Sequence, residues 1–353
     1  MASLFIGKEA LVKIIDVVGI DLFMDTLIHE LTLALNQHDK NQTQVMVRNG
    51  FVYPAPNVGV LEWMPVMHAD GDILVKLVAY NPSNPDRHAL PTIMSTMALF
   101  GSENGMLKVL TDGLFLTAVR TGASSAIASR ILANPESRTV GLVGCGAQAI
   151  TQLHALSRVF KLERALVYDT DPETAASFIK RAAFIPVHIE TTSLEELEFQ
   201  SDIICTATTV GPGEGPVIRG NQLKKNVHIN AVGSDLPGKT ELPLHVLQKS
   251  FICPDFPEQA IYEGECQQLP ADTVMGPSLF ELVQHQSKYV EFQSGSTVFD
   301  STGFALEDLV AVRLLSKFAL EHGFGEIVQV EALPPDPKNP YSCLTLAPVL
   351  SLA

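Results

Sequence analysis

The stretch Thr139-Val-Gly-Leu-Val143 followed by Gly144-Cys-Gly146-Ala-Gln-Ala149 constrains the fold more than any other part of the chain. The first part reads as a buried strand. The run after the glycines reads as a helix reaching about Val159. The turn between them has the pattern G-x-G-x-x-A. Its first glycine permits a tight turn, its second lets backbone approach a pyrophosphate, and its small last residue lets the helix pack closely on the strand. An anion then sits at the helix N-terminus, where free N–H groups and the dipole favour it. A plain glycine-rich turn would share this pattern, so the context matters. Asp169 follows the next apolar stretch, Ala165-Leu-Val-Tyr168, and lies 23 residues after Gly146. A carboxylate there binds the ribose hydroxyls of a dinucleotide. It also repels a 2′-phosphate, and Thr170 and Asp171 bring no arginine to offset that. The expectation is a dinucleotide site that takes NAD rather than NADP.

Strands and helices alternate from here on. Strands are expected near 187, at Ile203-Ile-Cys-Thr206 and at Val227-His-Ile-Asn-Ala-Val232, with helices over about 172–183 and 305–322. Such alternation implies a parallel sheet. The N-terminal part reads differently. Apolar positions at helical spacing run through residues 8–40, interrupted at Val18-Val-Gly-Ile-Asp21, which predicts two helices with Asp21 capping the second. Strands are expected at Gly59–Pro65, at Ile73–Tyr80, and twice within 92–112 about a turn at Glu103-Asn-Gly105. A helix rich in small residues should follow over about 114–133. The chain is thus expected to be α/β: a Rossmann-type nucleotide-binding domain plus a second, α+β domain. The first should span 125–315, and the second should combine 1–124 with a returning segment, 316–353.

Composition narrows the class. Of 353 residues, 46% are hydrophobic and 18% charged, enough for a large core and unlike a disordered chain. The net charge of −15 argues against nucleic acid or an anionic membrane surface as partner. The uncharged run Thr139–Ser157 carries three glycines and is a poor membrane span. The N-terminus lacks the pattern of a signal peptide. The five cysteines form no C-x-x-C pair, which fits reduced thiols in a cytoplasmic protein. No metal-ligand spacing appears, and the ten histidines are scattered.

Three basic residues stand in apolar settings ahead of the glycine-rich turn. Arg48 lies in Val45-Met-Val-Arg-Asn-Gly, Lys76 in Ile73-Leu-Val-Lys-Leu-Val, and Arg120 in Leu116-Thr-Ala-Val-Arg-Thr-Gly122. Any one of them alone would snorkel or pair with a carboxylate. Three together, among only 24 basic residues, fit a cluster that binds a carboxylate. Asp235, in Gly233-Ser-Asp-Leu-Pro-Gly-Lys239, follows an expected buried strand. It is either a turn residue or a general acid and base at the carboxyl edge of the sheet.

Taken together, these segments resemble the ornithine cyclodeaminase/μ-crystallin family over nearly the full length, and more its amino-acid cyclodeaminase branch than its μ-crystallin branch. The most specific matches are Asn230-Ala-Val-Gly-Ser-Asp-Leu-Pro-Gly-Lys-Thr-Glu-Leu242, Glu263-Gly-Glu-Cys-Gln-Gln-Leu269 and Val298-Phe-Asp-Ser-Thr-Gly-Phe-Ala-Leu-Glu-Asp308. The resemblance implies tightly held NAD that accepts a hydride from a basic L-amino acid and returns it, with ring closure and loss of ammonia. Ornithine would give proline and lysine would give pipecolate. The same resemblance implies a homodimer. Arg48, Lys76 and Arg120 match residues that hold the substrate carboxylate, Thr302 lies where the family contacts substrate, and Asp235 matches the catalytic carboxylate. Thr92, Arg120, Gly144, Gly146, Ala147, Gln148, Asp169, Thr208, Val232, Lys239 and Ser301 match cofactor contacts. Several stretches resemble the lysine enzymes, among them Val60-Leu-Glu-Trp-Met-Pro65 and Arg181-Ala-Ala-Phe184, whereas Asp235-Leu-Pro-Gly-Lys239 fits the ornithine enzymes equally. One methylene separates the two substrates, worth about 1–3 kcal/mol to a pocket. The alternatives within the family are a net amino-acid dehydrogenase, a ketimine reductase, and a binding protein without catalysis.

Overall fold

The computed structural model describes residues 2–54 and 56–344. The chain opens with β1 (Ser3–Ile6), α1 (Lys8–Val18) and α2 (Ile20–Asn36). A mostly antiparallel run follows through β2 (Thr43–Val45), β3 (Asn49–Val52), β4 (Val60–His68), β5 (Asp72–Tyr80), the short α3 (Asn84–His88), β6 (Ile93–Gly101) and β7 (Leu107–Asp112). The long helix α4 (Leu114–Leu132) leads into β8 (Thr139–Val143), α5 (Ala147–Val159), β9 (Arg164–Tyr168), α6 (Pro172–Arg181), β10 (His188–Thr191), α7 (Leu194–Gln200) and β11 (Ile203–Thr206). Then come β12 (His228–Ala231), α8 (Leu244–Leu247), β13 (Phe251–Pro254), α9 (Pro257–Glu263), α10 (Leu279–Gln284), β14 (Thr297–Asp300), α11 (Ala305–His322) and β15 (Glu326–Val328).

Among the described residues the strands form two sheets. One is parallel throughout, in the order β10-β9-β8-β11-β12-β14-β13. Its inner strands are short and largely buried on both faces, as helices on either side require, whereas the edge strand β10 is polar and partly exposed. The chain winds outward from β8 in one direction through β9 and β10, then in the other through β11 and β12. The loops after β8 and β11 therefore part and leave a crevice, the place where open sheets of this kind bind ligands. The other sheet has eight strands, with β15 returning to pair with β1. The expected boundaries at 124 and 315 both fall inside long helices, α4 and α11. The expected C-terminal return beyond residue 344 lies outside the described residues.

The antiparallel sheet has two different faces. Met64, Val66, Leu74, Lys76, Val78 and Tyr80 are buried on its inner face, which packs against α11. The opposite face presents Trp63, Met67, Leu77 and Met94, with Leu77 46% and Met94 40% exposed. Helices α4 and α11 are buried nearly all round and join both sheets into one core. Asp21 does not cap α2. Gly19 holds that position, and the Asp21 carboxylate instead meets His154 Nε2 at 2.9 Å and Arg158 Nη1 at 3.1 Å on α5. A cross-helix ion pair outcompetes the local cap. Asp171 does cap α6, accepting from Glu173 N and Thr174 N.

Candidate active site

The glycine-rich turn adopts the conformation its sequence demands. Gly144 has φ +88°, and an added Cβ would lie 2.5 Å from Ala207 O on the neighbouring loop. Gly146 precedes α5 with no side chain capping the helix, and a Cβ there would meet no heavy atom within 4 Å. The turn is therefore an open cradle bounded by uncapped N–H groups. Ala147 begins α5, and Gln148 turns its Oε1 toward Thr151 Oγ1 at 3.2 Å. Asp169 Oδ2 accepts from Cys145 N at 2.8 Å and Oδ1 from Asp171 N at 3.0 Å, so the carboxylate braces the turn. Burial and then Asp169 push the Cys145 thiol up to about 12, which leaves it inert as a nucleophile.

The loops after β11 and β12 are joined by one buried acid. Glu241 accepts from Thr208 N at 2.6 Å and Thr208 Oγ1 at 2.7 Å, and from Gly233 N at 2.9 Å. Val232 N continues the ladder to Thr206 O. After β14, the Ser301 hydroxyl is buried without a hydrogen-bond partner among the described residues, whereas Thr302 Oγ1 accepts from Gln259 and donates to Asp255 at 3.0 Å. Thr92 lies between α3 and β6, its carbonyl accepting from Asn81 N. Asp235 Oδ1 meets Lys239 Nζ at 2.9 Å, and that ammonium stands 5.0 Å from the ring centroid of Tyr80. The Asp235 turn thereby leans on the inner face of β5, which also carries Lys76.

The three cations converge from separate elements. Lys76 comes from β5, Arg120 from α4, and Arg48 from the loop before β3. Each has an anion. Asp308 on α11 spans two of them, with Oδ2 2.7 Å from Lys76 Nζ and Oδ1 3.1 Å from Arg120 Nε. Glu307 takes Arg120 Nη1 at 2.5 Å. Glu263, at the end of α9, meets Arg48 Nε at 2.7 Å, and Glu62 on β4 meets its Nη1 at 3.4 Å. Arg48 Nη2 donates to the carbonyls of Thr302 and Gly303. Gly303 has φ +79°, and a Cβ there would stand 2.3 Å from Arg120 Nη1, so only glycine fits beside that guanidinium.

The electrostatics follow from burial. Lys76 is lowered to about 8, first by desolvation, with Asp308 opposing and Arg120 adding to the fall. Arg48 is raised, because Glu263 and then Glu62 outweigh its burial. Glu263 is pushed up to about 7, chiefly by burial, with Arg48 opposing and Glu62 and Asp235 adding to the rise. The site thus sets three cations against four acids, of which Glu263 stays close to exchanging a proton near neutrality.

Glu62, Glu263, Glu307 and Asp308 were not singled out from the sequence by chemistry. Their signal mirrors that of the cations: Glu307-Asp308 interrupts the apolar run Phe304-Ala-Leu and Leu309-Val, just as Lys76 interrupts its strand. Buried charge of one sign calls for buried charge of the other. Among the described residues, no group of three or more His, Cys, Asp and Glu is placed to hold a metal ion.

The chain shares this architecture with known proteins. The model of the ornithine cyclodeaminase/mu-crystallin family matches residues 8–322. The L-lysine cyclodeaminase of Streptomyces rapamycinicus is 41% identical over 331 residues, covering 94% of this chain and 96% of that protein. A solved lysine cyclodeaminase, studied for its recognition of L-lysine, L-ornithine and L-2,4-diaminobutyric acid, superposes with a TM-score of 0.94 at 44% identity, covering 98% of this chain and 100% of that one. An archaeal alanine dehydrogenase dimer with bound NAD superposes with a TM-score of 0.83 at 29% identity, covering 94% and 100%. With its glycine-rich cradle, its three converging cations and its match over most of its length, the chain belongs to the ornithine cyclodeaminase/mu-crystallin family.

Proposed function

We propose that this protein catalyses the NAD-dependent deaminating cyclisation of a basic L-amino acid, releasing ammonia. L-Lysine to L-pipecolate is the favoured reaction, since the lysine cyclodeaminases are 41% and 44% identical to it. L-Ornithine to L-proline is the second. The observation that carries the reading is the convergence of Arg48, Lys76 and Arg120 near the Asp235 turn, at the carboxyl edge of a parallel sheet.

In this reading the three cations hold the substrate carboxylate and Thr302 contacts the substrate, which fixes the α-carbon in place. When bound, NAD supplies a reversible hydride acceptor at that carbon. Gly144, Gly146, Ala147 and Gln148 would hold its pyrophosphate and Asp169 its ribose. Thr92, Arg120, Thr208, Val232, Lys239 and Ser301 would complete its contacts. The open cradle at Gly146 and the unpartnered Ser301 hydroxyl fit such a group. Asp235 would manage protons. The side-chain amine arrives as an ammonium and must lose a proton before it attacks the α-carbon. The α-nitrogen must gain one as its bond to that carbon breaks. One carboxylate placed beside both nitrogens serves both needs.

We assign residues 125–315 to the NAD-binding domain, and 1–124 with 316–353 to the substrate and dimer domain. The apolar outer face around Trp63, Leu77 and Met94 supports a homodimer, as does the likeness to a dimeric alanine dehydrogenase. A cytoplasmic location belongs to the same proposal and is in keeping with five unpaired cysteines.

The decisive experiment supplies lysine and ornithine in parallel and quantifies pipecolate, proline, ammonia and NADH. Ammonia should match cyclic product with no NADH accumulating. NADH rising in step with product would replace the proposal with a net dehydrogenase. Protein that binds NAD yet leaves both amino acids untouched would be a binding protein.

A further inference from the structure

We propose that Asp308 is the positioning residue that keeps Lys76 and Arg120 together as one carboxylate clamp. The inference rests on the reading of those cations as the substrate clamp. Two cations side by side in a desolvated site repel each other, and burial alone favours losing the lysine's proton. Asp308 answers both problems from a single position. It is itself fully buried, with one oxygen 2.7 Å from Lys76 Nζ and the other 3.1 Å from Arg120 Nε. Arg120 has a second anion in Glu307 at 2.5 Å, whereas among the described residues Asp308 is the sole carboxylate ion-paired with Lys76.

The charged groups that act on Lys76 come from three elements: Asp308 from α11, Arg120 from α4, and Arg48 from the loop before β3. Asp308 alone of these favours the ammonium. Its removal leaves two guanidinium groups and burial, all acting to discharge the lysine. Asp308 does not contact the reacting atoms in this scheme. It acts through Lys76, and its loss should appear first in substrate affinity and its pH dependence, because Arg120, which also contacts NAD in this reading, keeps Glu307 as its second anion.

The test is the pH profile of kcat/KM for the amino acid in wild type and Asp308→Asn, with melting temperature and NAD affinity measured alongside. In wild type, kcat/KM should fall above about pH 8, where Lys76 loses its proton. In Asp308→Asn that limb should move to lower pH by one unit or more, raising KM at pH 8 by about fivefold or more. Lys76→Arg, whose guanidinium stays charged, should abolish the limb. Asp308→Ser carries the same test should the asparagine variant not fold. An unmoved limb in a folded variant that binds NAD overturns the role of Asp308. A Lys76→Met protein with wild-type KM would instead overturn the clamp itself, so the two failures are distinguishable.

Discussion

Asp235 and Lys239 face each other across the turn after β12, with Oδ1 2.9 Å from Nζ and the lysine almost wholly buried. The pairing holds the carboxylate at the carboxyl edge of the sheet, where a proton acceptor is needed. Asp235→Asn keeps the shape and removes the proposed base. Turnover of lysine and ornithine should fall by about 10² or more, the usual contribution of a general acid–base group. NAD affinity, followed by protein fluorescence, should stay near wild type. Full turnover by this variant would remove Asp235 from the reaction.

Arg48 spends its guanidinium on Glu263, Glu62 and two carbonyls after β14. Arg48→Ala removes charged hydrogen bonds worth about 1.5–3 kcal/mol, so KM should rise roughly 10- to 150-fold. Steady-state kinetics with kcat and KM resolved checks this. A change confined to kcat would mean that Arg48 does not bind the carboxylate.

In the proposed reading, Asp169 governs the choice of dinucleotide. Asp169→Ser removes the carboxylate that repels a 2′-phosphate, and also the brace on Cys145 N. NAD should bind about tenfold more weakly, an order expected from losing one charged hydrogen bond, while NADP binding should not weaken. Titration of both cofactors decides. Equal weakening of both would mean that Asp169 only supports the turn.

His228, the first residue of β12, is buried, with Nδ1 2.8 Å from Thr297 Oγ1 on β14 and Nε2 3.2 Å from Asn230 Oδ1. Burial lowers it from 6.5 to about 4. The unfolded chain takes up this proton near 6.5 and the folded chain only near 4. The stability that rests on a neutral His228 is thus complete above pH 6.5 and is lost as pH falls toward 4, about 3 kcal/mol in all. Urea unfolding at pH 7 and 4.5 should show His228→Gln losing less stability than wild type. Equal losses would place the acid sensitivity elsewhere.

Local patterning made much of the architecture legible. The long helix expected over about 305–322 is found at Ala305–His322, bounded by Gly303 at φ +79° and Gly323 at φ +68°. The glycine-rich turn was legible because backbone geometry demands glycine there. The partners of the cations were not. Nothing local in Lys76's strand points to Asp308, and Arg120 and Asp308 are 188 residues apart. Asp21 shows the same limit: a residue well suited to a cap was taken by His154 and Arg158, 133 and 137 residues away. Short strands such as β13 and β15 gave no signal, since their pairing is decided by the sheets they join.

Helix α11 supplies Glu307 and Asp308, yet it is the last long helix among the described residues. A ribosome must therefore reach residue 308 before Lys76 and Arg120 meet their anions. Until then both stand as uncompensated cations in apolar sequence, which disfavours collapse of the early half on its own. Growing chains and fragments ending before α11 should remain open and unable to take substrate. Competence then arrives late, when α11 docks.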